Sequence, residues 1–212
     1  MLLVVGGHSR NIGKTAVVCG IIRSLPEANW TAIKITQFGH NICTRHGAPC
    51  HCSDPKHPVA VSEEDGSSPL TDSGRFLAAG AGHSFWVRTP AGRLAEALPD
   101  IRGILAGAGN VIVESNSLLQ FLKPERYLMV VDGAVEDFKL TSLRFLDRAD
   151  ALVATSAAPL AWPSVPVGLL RGKQVYRADA PLYESAELSS LVRSLVKRPR
   201  VERFADSHKE GD

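Results

Sequence analysis

A glycine-rich turn near the start of the sequence carries the residue types that bind phosphate. The turn follows an apolar run at residues 2–5 and leads into a segment of helical spacing that opens Gly13-Lys14-Thr15. N–H groups at the start of a helix bind anions, the lysine can reach β- and γ-phosphates, and the threonine hydroxyl can ligate Mg²⁺. The sequence therefore predicts a site for a nucleoside triphosphate, ATP or GTP, with Mg²⁺. The residues expected to contact the nucleotide are Gly7, His8, Ser9, Arg10, Asn11, Ile12, Gly13, Lys14, Thr15 and Ala16.

The spacing of this turn is one residue longer than in the common phosphate-binding loop. Gly7 lies six residues before Gly13, so His8 occupies the position of the usual first glycine. The alternative is an ordinary strand–turn–helix junction. The strand, the glycine pair, Gly-Lys-Thr and the helix follow in the required order, which favours the phosphate-binding interpretation.

Two charged residues end apolar strands and are candidates for catalysis. Lys34 lies near the end of the segment at residues 30–36, and Glu114 follows the apolar run at residues 111–113. Ligands of parallel sheets bind at the carboxyl ends of strands. There, Glu114 could hold Mg²⁺ or orient a nucleophile, and Lys14 and Lys34 could contact phosphate. The alternatives, a solvated surface lysine and an unremarkable loop glutamate, stay open at this point.

A cluster of cysteines and histidines forms a second candidate site. Thiolates and imidazoles suit Zn²⁺, and three thiolates could hold an iron–sulfur cluster with one open position. The spacing of Cys50 and Cys52 is tighter than in the familiar finger patterns, and the alternative is a mobile polar loop whose thiols never meet. The candidate metal ligands are Cys43, His46, Cys50, Cys52 and His57, and the same segment holds His40 and His51.

The order of apolar segments predicts the elements that position these residues. Strand-like and helix-like segments alternate, which indicates a single-domain α/β fold with a mostly parallel, doubly wound sheet. We expect strands at residues 2–5, 30–36, 83–88, 111–113, 127–131, 151–154 and 165–170. We expect helices at residues 13–25, 71–79, 90–105, 141–149 and 186–196. The domain would span residues 1–196 with an excursion at 37–70, and residues 197–212 would form a charged tail.

Composition and charge narrow the classes of partner. The formal net charge is +2 and the apolar fraction is 44%, so a core can form and no strong electrostatic attraction to nucleic acid or membrane is expected. The apolar runs are shorter than the ~20 residues that span a bilayer. Only Met1 precedes the first strand, which leaves no room for a signal peptide, and we therefore expect a cytoplasmic protein.

Short motifs resemble one class of P-loop NTPases, the SIMIBI class. The loop is similar to Gly-Thr-Asp-Thr-Gly-Val-Gly-Lys-Thr of dethiobiotin synthetase, which has the same length and matches at Gly7, Gly13, Lys14 and Thr15. Dethiobiotin synthetase and the molybdopterin-guanine dinucleotide biosynthesis protein B (MobB) family both carry a lysine that ends strand two and a Val-Glu that ends a later strand. The corresponding residues here are Lys34, Val113 and Glu114.

A further segment resembles the MobB family specifically. Residues 72–81 are similar to the MobB pattern Asp-Ser/Thr-x-Arg-x-x-x-Ala-Gly-Ala. This resemblance implies that Asp72 faces the nucleotide and, with Thr15 and Glu114, holds Mg²⁺. Dimers are common in the class, so a homodimer is expected. The chain departs from MobB in its longer loop and in Ser-Asn-Ser at residues 115–117, where MobB has glycine after its glutamate. No Asn-Lys-x-Asp motif follows residue 154, which leaves ATP and GTP both open.

Three functions follow from these patterns. The favoured one is a slow NTP hydrolase that acts as an accessory protein, with a partner protein, in molybdenum-cofactor or other metal-cofactor biosynthesis. The second is an ATP-dependent small-molecule ligase or kinase, as the resemblance to dethiobiotin synthetase implies. The third is a metal-binding module that uses the nucleotide as a structural ligand.

Overall fold

The computed structural model describes residues 1–38, 59–67 and 69–196, and within these ranges the strands form one sheet. The strands are β1 (Leu2–Gly7), β2 (Trp30–Phe38), β3 (Ala60–Glu63), β4 (His83–Pro90), β5 (Asn110–Glu114), β6 (Arg126–Val131), β7 (Ala151–Ala154) and β8 (Gln174–Arg177). The α-helices are α1 (Lys14–Ser24), α2 (Asp72–Ala78), α3 (Leu98–Gly107), α4 (Leu140–Leu146) and α5 (Ala186–Arg193). Short 3₁₀ helices lie at Pro26–Ala28, Leu94–Ala97, Ser117–Gln120 and Val167–Leu169.

The sheet runs in the order β3-β4-β2-β5-β1-β6-β7-β8. All pairings are parallel except that of the edge strand β3 with β4. The prediction of a mostly parallel α/β sheet is confirmed. The chain leaves β1 toward β2 on one side of the sheet, whereas the connection from β5 crosses to β6 on the other side of β1. Crevices at such points bind ligands in this architecture.

Two apolar cores cover the two faces of the sheet. Because side chains alternate along a strand, Leu3 and Val5 of β1 belong to one core and Val4 belongs to the other. The first core includes buried residues of α1, α2 and α5, and the second includes Ile101 of α3 and Phe145 of α4. Complete burial of such side chains stabilises the fold by about 1.5–3 kcal/mol each. The cores therefore hold β1 and α1, which flank the glycine-rich turn, in a fixed relation.

Helix α2 begins as its sequence predicts. Thr71 is the N-cap, and its side chain accepts a hydrogen bond from the N–H of Gly74 at 3.0 Å. This cap satisfies one of the free N–H groups of the first turn and sets Asp72 as the first helical residue. Cys19 is a buried core residue of α1.

Two predicted elements are wrong. Residues 165–170 form no strand, because Val167–Leu169 is a 3₁₀ helix in which Val167 is exposed. Pro166 has no N–H group and cannot donate a hydrogen bond to a neighbouring strand. The last strand is β8, a mostly exposed edge strand. Its polar residues give no apolar run, so the hydropathy pattern does not indicate a strand there. The predicted helix at residues 90–105 is interrupted, because Pro90 still belongs to β4 and α3 begins at Leu98, with Pro99 in its first turn.

Among the described residues, no helix combines the length and the apolar character that a membrane span requires. The cysteine and histidine candidates, Cys43, His46, Cys50, Cys52 and His57, lie outside the described residues, as does the tail at 197–212. Within the excursion predicted at residues 37–70, the described part contains β3, which the sequence pattern did not indicate.

Candidate functional site

The glycine-rich turn connects the end of β1 to the first residue of α1. Asn11 has a φ of 55° and Gly13 a φ of 86°, so the backbone enters the left-handed region twice before the helix begins. Gly13 is the N-cap of α1 and no side chain caps the first N–H groups, so they remain available to an anion. This is the strand–turn–helix context that a phosphate-binding loop requires.

Gly7 is needed because the stem of Lys14 folds back against it. A Cβ at position 7 would collide with Lys14 Cδ and Cγ unless the lysine stem shifted. The ammonium of Lys14 then crosses the loop and donates a hydrogen bond to the carbonyl of Ser9 at 2.7 Å. Burial lowers the pKa of Lys14 to about 8, and nearby Lys139 and Lys34 act in the same direction against the opposing charge of Glu114. An anion bound beside Lys14 would relieve this penalty.

The extra residue of the loop, His8, packs into a niche formed by aromatic side chains. Its imidazole is buried and lies 4.9 Å from the ring of Phe138 and 5.2 Å from that of Trp162. Its Nε2 lies 3.1 Å from the carbonyl oxygen of Val135, and its backbone N–H donates to Val130. Burial lowers the pKa of His8 and favours the neutral ring. His8 thus anchors the loop to the segment after β6, and its N–H is not available to phosphate.

Asn116 holds the start of the loop from the other side. Its Oδ1 accepts a hydrogen bond from the N–H of Gly7 at 2.8 Å, and its Nδ2 donates to the Gly7 carbonyl at 2.9 Å. The same Nδ2 donates to Ser142 Oγ, which itself donates to the Gly7 carbonyl. Asn116 belongs to the Ser-Asn-Ser sequence that departs from MobB, so this departure has a structural role.

Four side chains predicted from separate motifs converge beside the loop. Glu114 is buried at 3% exposure and accepts hydrogen bonds from Thr15 Oγ1 at 2.7 Å and Lys34 Nζ at 2.5 Å. Lys34 Nζ also lies 2.8 Å from Asp72 Oδ2, and its side chain is only 16% exposed. The alternative interpretations of Lys34 as a solvated residue and of Glu114 as a loop residue are therefore wrong.

The charges of this cluster stabilise one another. Burial alone would lower the pKa of Lys34, but the carboxylates of Glu114 and Asp72 outweigh it and the pKa lies above its ordinary value. Burial acts to raise the pKa of Asp72, but the charge and hydrogen bond of Lys34 outweigh it and the pKa is lowered. The cluster is therefore a charged network, with an ammonium between two carboxylates.

The same residues suit a magnesium ion. Mg²⁺ binds one or two carboxylates together with phosphate and water oxygens, so it does not need a cage of protein ligands. Thr15, Asp72 and Glu114 offer a hydroxyl and two carboxylates around a point where Lys34 already supplies positive charge. Within the described ranges, no group of three or more His, Cys, Asp or Glu side chains is arranged for a metal ion, so an all-protein metal cage is not what this site offers.

These groups open into one cavity of about 1200 Å³. Residues 10–16, Lys34, Asp72 and Glu114 line it, whereas Gly7, His8 and Ser9 do not and instead shape the loop from behind. Among the described residues, five basic side chains and two carboxylates face the cavity, which gives it a net positive lining. The basic side chains are Arg10, Lys14, Lys34, Arg75 and Lys139.

Several residues that line this site were not predicted from the sequence, among them Lys139, Tyr183 and Asn116. Lys139 and Tyr183 line the cavity, and Asn116 both lines it and clamps the loop. A Cβ at Gly13 would lie 2.7 Å from Tyr183 Cε1, which shows how closely that ring approaches the loop. The signal for Lys139 was its position after β6, because the carboxyl end of a strand beside β1 must face the same crevice.

The comparisons with known proteins add no relative to this description. No protein-family model matches the chain, and no curated protein matches it.

Proposed function

We propose that this protein binds a nucleoside triphosphate with Mg²⁺ and hydrolyses it slowly. The observation that carries the proposal is the convergence of the Lys14 ammonium, the Thr15 hydroxyl and the Glu114 carboxylate at one end of a positively lined cavity. Each group matches a separate requirement of phosphoryl transfer, namely charge neutralisation, metal ligation and orientation of the nucleophile.

The residues divide the work by their chemistry. Lys14 and the N–H groups at the start of α1 bind phosphate oxygens. Thr15, Asp72 and Glu114 would hold Mg²⁺, which neutralises charge on the phosphates when it is bound. Lys34 favours the ionised form of Asp72 and orients both carboxylates, and Glu114 can also accept a hydrogen bond from the attacking water.

The role of this activity is proposed from the resemblance to the MobB family, as an accessory step in molybdenum-cofactor or other metal-cofactor biosynthesis. The support is that Asp72, which opens the MobB-like segment, lies against Lys34 in the cavity. The ligase or kinase alternative needs a basic residue for an acceptor carboxylate. Lys34 suits that task less well, because Glu114 and Asp72 already occupy it at 2.5 and 2.8 Å.

Phosphate release tests the proposal. Wild-type protein with ATP or GTP should release phosphate only when Mg²⁺ is present. Glu114→Gln keeps an oxygen that can accept from Thr15 but removes the charge, so turnover should fall by about 10- to 100-fold while nucleotide binding persists. The exposed Glu136→Gln is the matched control and should behave as wild type.

Three outcomes would contradict the proposal. Equal turnover in Glu114→Gln and wild type would remove Glu114 from the reaction. Nucleotide binding with no phosphate release under any of these conditions would support the metal-binding module, which uses the nucleotide as a structural ligand. Release that begins only when a small-molecule acceptor is added would support the ligase alternative.

A further inference from the structure

The segment that follows β6 brings a cation to the cavity that no carboxylate neutralises directly. Lys139 is half-buried and lines the cavity, and its Nζ makes no hydrogen bond or ion pair with any described residue. The nearby carboxylate of Asp137 instead accepts a hydrogen bond from Ser9 Oγ at 2.7 Å. Burial lowers the pKa of Lys139 and the charge of Arg10 lowers it further, while the carboxylate of Asp137 acts against them without restoring the ordinary value. A half-buried ammonium beside a second cation would therefore gain from a bound anion.

The fold uses the backbone of Lys139 but not its side chain. Its N–H donates to the carbonyl of His8 at 2.9 Å, and its carbonyl accepts from the N–H groups of Ser142 and Leu143. These bonds tie the residue to the start of the phosphate loop and to the first turn of α4. Because a substitution leaves the backbone bonds in place, the side chain can be changed without removing this connection.

The position of Lys139 along the loop identifies the phosphate it would meet. Lys14 projects from α1 across the loop to the carbonyl of Ser9. A lysine at this position reaches the β- and γ-phosphates, so the terminal phosphate is expected beside the Lys14 ammonium, on the cavity side of Ser9. Lys139 is attached at the neighbouring His8, and Arg10 follows Ser9. Both cations therefore stand at the end of the loop farthest from the helix.

We propose that Lys139, assisted by Arg10, recognises the terminal phosphoryl group and so makes the site select triphosphates over diphosphates. This inference rests on the proposed function, because it assigns a role within the same nucleotide site. It adds a second source of positive charge, from the β6 side of the sheet, to the P-loop lysine. The pair would lie across the cavity from Lys34, so that positively charged groups would surround the terminal phosphate.

The test compares dissociation constants for non-hydrolysable β,γ-imido analogues of ATP and GTP with those for ADP and GDP, all with Mg²⁺. In Lys139→Gln, triphosphate binding should weaken by about 10- to 100-fold, the range for loss of a charge-assisted contact, whereas diphosphate binding should change less than about threefold. Lys139→Arg should keep most of the preference. The exposed Lys123→Gln, which does not line the cavity, should match wild type.

Other results of this experiment would overturn either the inference or the proposed function. An unchanged triphosphate preference in Lys139→Gln, or equal losses for triphosphate and diphosphate, would overturn the inference and leave the proposed function standing. A marked fall in the thermal midpoint of the ligand-free variant would also overturn it, since the side chain would then serve the fold. If wild-type protein binds none of the four nucleotides, the proposed function itself fails.

Discussion

The two flanks of the phosphate loop carry similar numbers of cations but treat them in opposite ways. On the β2–β5 flank, Lys34 lies within 2.8 Å of both Asp72 and Glu114, and Arg75 lies 3.8 Å from Asp72, so two cations balance two carboxylates in the absence of a ligand. On the β6 flank, Lys139 and Arg10 form no ion pair with a described residue. Balanced charges stabilise the ligand-free protein. Unbalanced positive charges instead leave a positive potential in the cavity that attracts an anion. Under the proposed function, the β2–β5 flank would coordinate the metal and the β6 flank would bind the anion.

The largest expected effect comes from breaking the balanced flank. Lys34→Met keeps the apolar stem but leaves Glu114, buried at 3% exposure, beside Asp72 without the ammonium between them. Removal of one member of a buried ion pair costs about 3–5 kcal/mol, and the partial exposure of Asp72 reduces our expectation to about 2–4 kcal/mol. Urea unfolding of the ligand-free protein measures this loss.

The matched variant on the other flank is Lys139→Gln. Its free energy of unfolding should stay within about 0.5 kcal/mol of wild type, because no described side chain depends on the ammonium. Equal destabilisation of the two variants would end the distinction between the flanks.

A smaller effect on nucleotide affinity is expected from pH, and it tests whether Lys14 and Lys139 bind the ligand in their charged forms. The pKa of Lys14 is about 8 in the empty site, and phosphate binds the charged form, so binding raises that pKa. Affinity should be constant below about pH 8 and fall by up to about tenfold per pH unit above it, as the empty site loses the proton. Lys139, whose pKa is lowered too, would steepen the fall.

Calorimetry at pH 8.5, in two buffers that differ in ionisation enthalpy, should show proton uptake on binding. The phosphate groups are already ionised at this pH and would not supply the change. Affinity that stays flat from pH 7 to 9.5 would show that neither lysine needs its proton to bind the ligand.

The sequence predicted the parts of the site whose chemistry is local. Gly7, Gly13, Lys14 and Thr15 lie in one short segment, and their order between a strand and a helix favours a phosphate-binding loop. Lys34 and Glu114 were predicted from their positions at strand ends. Their direct contact at 2.5 Å depends on β2 and β5 being neighbours, which the sheet order supplies.

The parts that the sequence did not predict depend on contacts between distant segments. The niche around His8 is built by Phe138 and Trp162, which have no pattern that points to residue 8. Lys139 gains its position from a backbone bond to His8 and from the pairing of β6 with β1. Strand β8 was missed because an exposed edge strand lacks an apolar run, and the apolar residues before it include Pro166.

The proposed function requires that the cavity beside α1 bind a triphosphate through Lys14. Isothermal titration with Mg²⁺ and non-hydrolysable ATP and GTP analogues, on wild type, Lys14→Ala and the exposed control Lys123→Ala, tests it most directly. We expect wild type and the control to bind one nucleotide per chain, and Lys14→Ala to lose at least about 100-fold in affinity with its fold intact. Equal affinity in Lys14→Ala and wild type, or no binding by wild type at millimolar nucleotide, would contradict the account.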